Sequence, residues 1–113
     1  MEKLLSEIKQ FNSERDWDQY HSPKNLAVSI CIEAAELLEN FQWEDKKVSE
    51  IKKDEKIVGC VGEELADIFI YALNLADKLG IDIEKSIKKK LEINRKKYPI
   101  EKAHGSAKKY NQI

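Results

Sequence analysis

Turn-forming residues are scarce in this chain: its 113 residues include four glycines and two prolines. Glu, Lys, Leu, Ile and Ala dominate instead, a composition of helices rather than of turn-rich architectures. Only two cysteines, Cys31 and Cys60, are present. Secreted domains of this size usually carry more pairs, so both are read as reduced thiols of an intracellular protein. Neither sign of charge prevails, with 20 basic against 21 acidic residues. That balance excludes a general pull toward a nucleic-acid polymer or an anionic membrane surface. It is compatible with a chain that buries surface in an oligomer. No apolar run approaches the roughly 20 residues that span a bilayer. The opening MEKLLSEIKQF is charged from its second residue, unlike a signal peptide. One cytoplasmic domain with a small core is expected.

What is there is helical periodicity. Leu4, Leu5, Ile8 and Phe11 predict a first helix over 2–14. Ser22 and Pro23, as N-cap and first-turn residue, open a second over 23–40 that is apolar on more than one face and therefore central. Residues 42–54 read as a loop with one short turn. Val58, Val61, Leu65, Ile68, Ala72, Leu75 and Leu79 predict a third helix over 55–79, stopped by Gly80. Asp82 caps a fourth that runs to Tyr98 and stops at Pro99. The expectation is an all-α, four-helix, antiparallel bundle over 1–99 with a polar, loosely held tail over 100–113.

The two central helices carry acids in an unusual place. At about 100° per residue, Asn25, Ser29, Glu33, Glu36 and Asn40 share one narrow side of the second helix. Cys60, Glu64, Asp67, Tyr71 and Asn74 do the same on the third. Each acidic stripe is flanked by Ile, Val, Leu and Ala, and no Lys or Arg lies between Asn25 and Asp45. Carboxylates crowded into such a space repel and lose hydration unless something compensates. A hard divalent cation does so, and Mg²⁺ suits carboxylates combined with a substrate phosphate. The spacing also permits two solvated faces making ordinary salt bridges. A di-iron carboxylate bundle is disfavoured, because its E-x-x-H pattern occurs once, at Glu101–His104 beyond Pro99.

With E-x-x-E at Glu33–Glu36 and E-x-x-D at Glu64–Asp67, the chain resembles the MazG-like all-α nucleotide pyrophosphohydrolases. More specific stretches bring it nearest to their dCTP-pyrophosphatase branch. These are Arg15-Asp-Trp17-Asp-Gln-Tyr-His21-Ser-Pro23-Lys24-Asn25-Leu26, then Phe41-Gln-Trp43, then Lys90-Leu-Glu-Ile-Asn94-Arg95-Lys-Lys-Tyr98-Pro99, and Lys109-Tyr110 in the tail. The resemblance covers nearly the whole chain in order, and is weakest in the loop after Trp43. It implies hydrolysis of a (deoxy)nucleoside triphosphate to the monophosphate and pyrophosphate. It also implies Mg²⁺, or Mn²⁺ in its place, on Glu33, Glu36, Glu64 and Asp67, and a homo-oligomer, typically a tetramer built as a dimer of dimers.

Within that expectation, Glu36 or Glu33 takes the proton of the attacking water, while Glu64 and Asp67 chiefly hold metal. Lys90 and Asn94 share a side with Ile83 and Ile87 and are expected to face inward, toward phosphate or sugar, with Arg95 and Tyr98 nearby. Lys24 and Asn25 stand where a helix N-terminus attracts anions. Trp17, Trp43 and His21 are the candidates for base contact, and Tyr71 for sugar. dCTP or a modified dCTP is the first-choice substrate. The alternatives are dUTP, a broad nucleotide range, or a non-catalytic helical oligomerisation module.

Overall fold

The computed structural model describes residues 1–113, the whole chain, as helices and connecting turns without a β-strand. The α-helices are α1 (Glu2–Glu14), α2 (Pro23–Glu39), α3 (Val48–Ile51), α4 (Glu55–Lys78), α5 (Ile83–Lys97) and α6 (Ile100–Ala103). Short 3₁₀ turns cover Asp18–Tyr20 and Tyr110–Gln112. Side-chain caps set the helix starts. The Ser22 hydroxyl accepts the Asn25 N–H at 3.1 Å, Asp54 accepts from Ile57 at 3.1 Å, and Asp82 accepts from Lys85 at 3.1 Å. Each satisfies a donor that a helix start otherwise leaves unpaired. Gly80 ends the α4 segment in the left-handed region, at φ 67°, where a side chain would strain the backbone.

The chain packs as two compact units, Met1–Gly80 and Ile81–Ile113. In the first, α2 and α4 run along each other extensively, while α1 meets α4 over a shorter stretch. Ile8, Leu26, Leu73 and Ala76 form the buried apolar core, with Asn12 and Asn74 as buried polar residues. This unit holds three of the four long helices, so the expected four-helix bundle is not completed within it. The stripe expected to be covered along α4 is correspondingly open. Val58 is 47% exposed and Leu79 56%, because α4 has one extensive partner in the unit rather than two. Ile32 and Leu38 on α2 and Phe69 on α4 are also exposed. Both cysteines are free thiols.

In the second unit α5 has no buried residue. Asn94 and Tyr98 are half-buried, but Ile87 and Lys90, expected to face inward, are exposed. The reason is that side-chain packing gathers at the C-terminal end of α5. There Tyr98 meets Tyr110 edge-on at 6.2 Å, and the Lys97 ammonium sits 4.8 Å from the Tyr110 ring centroid. Those contacts connect Tyr110, in the segment after Pro99, to the end of α5. No helix is long and apolar enough to cross a membrane.

Candidate active site

On α2, Leu26 is buried, and Ile30, Glu33 and Leu37 are half-buried, at intervals of four, three and four. On α4, Ile57, Val61, Glu64 and Ile68 are half-buried at the same intervals. This is the recurrence of a seam between two helices, and in the middle of each stripe one position is a glutamate. Glu33, Glu64 and Asp67 each offer a carboxylate oxygen, and the three lie within 4.8 Å of one another. Two oxygens, Glu33 Oε2 and Glu64 Oε2, are buried and receive no hydrogen bond. Ionised carboxylates have no donors to offer each other. A shared proton or a bound cation is what can satisfy them.

In the metal-free protein the proton does so. Hydrogen bonding with Glu64, then with Glu36, then lost hydration and the negative charges of Glu36 and Asp67 push the Glu33 carboxyl up to about 7. Glu36 is thus a neighbour of Glu33, but it is exposed and lies outside the three-way cluster. Orphaned acceptors, three hard oxygen donors and a partly dry seam together fit a divalent cation such as Mg²⁺.

Asp67 also lines a cavity of about 430 Å³ with Trp17, His21, Tyr71 and Ile70, closed on its other side by Leu4, Glu7, Ile8, Phe11 and Asn12 of α1. Acid and aromatics therefore share one space. Trp17 meets Phe11 edge-on at 5.5 Å, and the Arg15 guanidinium covers the Phe11 ring at 3.7 Å. His21 lines this wall, and its Nδ1 is buried without a hydrogen-bond partner. The contribution of α1 is what the sequence reading missed. Leu4, Ile8 and Phe11 were legible as an amphipathic stripe, but spacing does not distinguish a stripe that fills a core from one that lines a cavity.

The other candidates are not gathered there. The Asn25 side-chain amide donates to the Tyr20 carbonyl at 2.9 Å, tying the start of α2 to the preceding 3₁₀ turn. Lys24 lies along a separate, open apolar groove with Val28, Cys31 and Ile32. Trp43, just beyond α2, is 86% exposed. In the second unit, Arg95 pairs with Glu92 at 2.7 Å, Tyr98 packs on Tyr110, and Lys90 has no ion-pair partner within that unit.

Comparison with known proteins places the chain. The model of the MazG-like family matches residues 28–113. dCTP pyrophosphatase 1 of Rattus norvegicus is 36% identical over 105 residues, which are 92% of this chain and 62% of that protein. dCTP pyrophosphatase 1 of Homo sapiens is 35% identical over the same shares. The chain thus spans somewhat less than two thirds of the length of these curated relatives. Among solved structures, a pyrophosphatase from Archaeoglobus fulgidus superposes with a TM-score of 0.80 at 48% identity, covering 88% of this chain and 92% of that one. A match over most of the chain, on an all-helical fold with paired acids in its central seam, shows that the chain belongs to the MazG-like family.

Proposed function

We propose that this protein is a Mg²⁺-dependent nucleoside triphosphate pyrophosphohydrolase that converts dCTP, or a modified dCTP, to the monophosphate and pyrophosphate. The observation that carries the reading is the junction at Asp67, which belongs both to the carboxylate cluster and to the cavity walled by Trp17, His21 and Tyr71. Phosphate chemistry and base recognition thereby adjoin. The names of the curated relatives support dCTP as the substrate, and that of the Archaeoglobus fulgidus structure supports the pyrophosphatase activity.

Glu33, Glu64 and Asp67 would hold the cation, with Glu36 beside them. Bound there, Mg²⁺ (or Mn²⁺) would offset phosphate charge and acidify water. The remaining work belongs to the chain. Water attacks the α-phosphorus, the bond from that phosphorus to the α–β bridging oxygen breaks, and pyrophosphate departs. Glu36, beside the three-way cluster, accepts the water proton, with Glu33 as the alternative acceptor. Trp17 supplies a stacking surface for the base, and the His21 imidazole a hydrogen bond to it. The substrate-binding assignments of Lys24, Asn25, Trp43, Lys90, Asn94, Arg95 and Tyr98 belong to the same proposal and rest on the family resemblance.

The test is product analysis with dCTP, dUTP, CTP and dATP, with and without Mg²⁺. Expected are dCMP and pyrophosphate from dCTP, only when Mg²⁺ is present. dCDP and phosphate, or no turnover on any nucleotide, would remove the proposal, and equal rates on all four would remove the base preference. Trp17→Ala is expected to raise KM for dCTP by about tenfold while changing kcat by no more than about threefold. An unchanged KM would take Trp17 out of base contact.

The assembly is proposed on the same footing. Ile32, Leu38 and Phe69 leave apolar area on α2 and α4 uncovered, which a homo-oligomer, a tetramer built as a dimer of dimers, would bury. Light scattering is expected to give a mass of about four chains. The mass of a single chain across the working concentration range would refute it.

A further inference from the structure

Asn12 and Asn74 are the only buried polar residues of the protein, 4% and 6% exposed. They are 62 positions apart, yet the Asn12 Nδ2 amide donates to Asn74 Oδ1 at 2.8 Å. The bond joins α1 to α4 where their packing is otherwise sparse. The nearby ion pairs, Lys9–Asp77 at 3.7 Å and Lys78–Asp18 at 3.6 Å, each have one partner more than half exposed and are weak constraints. A buried amide is different, because sliding α1 along α4 would strand a donor and an acceptor away from water. The amide pair therefore selects one register.

That register matters to the cavity through two further connections. The Asn12 carbonyl accepts the Trp17 N–H at 3.0 Å and the Arg15 N–H at 3.3 Å, so the turn bearing Trp17 hangs from the same residue. On α4, Asp67, Tyr71 and Asn74 follow at intervals of four and three, on one side of the helix. Asn12 itself lines the cavity that holds Trp17, Asp67 and Tyr71. Asn12 also lines a second cavity of about 680 Å³, together with Asn74.

We infer that Asn12 and Asn74 are positioning residues: their buried amide bond fixes α1 on α4 and holds Trp17 in the cavity that Asp67 and Tyr71 share. Their effect falls on nucleotide affinity and base choice rather than on the carboxylate cluster. This rests on the nucleotide-binding reading of the cavity, and its test includes a readout that needs no nucleotide.

The full-length protein is examined in a Trp43→Phe background, where Trp17 is the sole tryptophan emitter. Asn12→Ala and Asn74→Ala are each expected to shift Trp17 emission to the red. In the otherwise native chain, each is expected to raise KM for dCTP about tenfold with kcat within about threefold, leaving Mn²⁺ binding unchanged. The two effects should not add, because either change breaks the same bond. Asn74→Asp keeps an oxygen that can accept the Asn12 N–H and is expected to retain the native emission and KM. Asn12→Leu/Asn74→Ala strands no amide and refills the volume, so it serves if a single variant does not fold. Its emission and KM should shift as in the alanine variants. Native emission and KM in the variants lacking the bond would overturn the inference. So would Asn74→Asp behaving like Asn74→Ala, or a loss confined to kcat or Mn²⁺ binding. If the native chain turns over no nucleotide, the catalytic reading fails on its own, and Trp17 emission still decides this one.

Discussion

Glu64→Gln is expected to reduce kcat by about 10³-fold or more, a loss of at least about 4 kcal/mol of transition-state stabilisation, while raising the melting temperature of the metal-free protein. Both directions follow from the seam. Glu64 is half-buried, it belongs to the three-carboxylate cluster, and its Oε2 has no donor. A glutamine amide in its place removes one charge from the cation site. It also brings two N–H donors beside Glu33 Oε2, which is orphaned in the native chain. The substitution thus relieves the metal-free fold and disables the site, the opposed pair of effects expected where strain is held for function. Glu63→Gln, at an exposed neighbouring position, is expected to do neither. Turnover of Glu64→Gln within about threefold of the native rate would take Glu64 out of the site.

The second large effect is on pH. The Glu33 carboxyl, ordinarily at 4.5, is held at about 7 in the metal-free fold, first by hydrogen bonding with Glu64. The unfolded chain releases that proton near 4.5, whereas the folded chain keeps it until about 7. Between those values the folded state holds the extra proton, so stability falls as pH rises through the window. Below 4.5 both states are protonated and above 7 both are ionised, and the contribution is flat. The metal-free protein should therefore melt progressively lower from pH 4.5 to 7, relative to Glu33→Gln. Added Mg²⁺ requires the ionised carboxyl, so its stabilising effect should be small at pH 5 and large at pH 8. Parallel melting curves for the native chain and Glu33→Gln across this range would contradict the account.

The seam shows how much of the molecule was legible in its sequence. Ser22, Asp82 and Gly80 marked helix limits because caps and left-handed stops depend on local backbone chemistry, which the sequence states directly. The facing of Glu33 by Glu64 and Asp67 was legible because each acidic stripe was flanked by apolar residues on a central helix; that Glu33 and Glu64 themselves sit in the seam was not. The limits of periodicity appear elsewhere. It assigns Val58 and Leu79 to a covered side but does not say whether the cover lies in the same chain, and in the first unit they are open. It places Lys90 on a side with Ile83 and Ile87, yet Lys90 is exposed because packing in the second unit gathers around Tyr98 and Tyr110. Asn12 and Asn74 were invisible as a pair, since nothing local connects residues 62 positions apart. Trp17 and His21 share a cavity with Asp67, while Trp43 stands exposed beyond α2.

The central claim is that Glu33, Glu64 and Asp67 bind a divalent cation, and Mn²⁺ paramagnetic resonance tests it most directly. Titrated at pH 8, the native protein should suppress the signal of free Mn²⁺ saturably, and added Mg²⁺ should restore it by competition. Glu64→Gln should leave the free signal almost undiminished. Equal suppression by the native chain and Glu64→Gln, or none by either, would contradict the assignment of this cluster as the metal site.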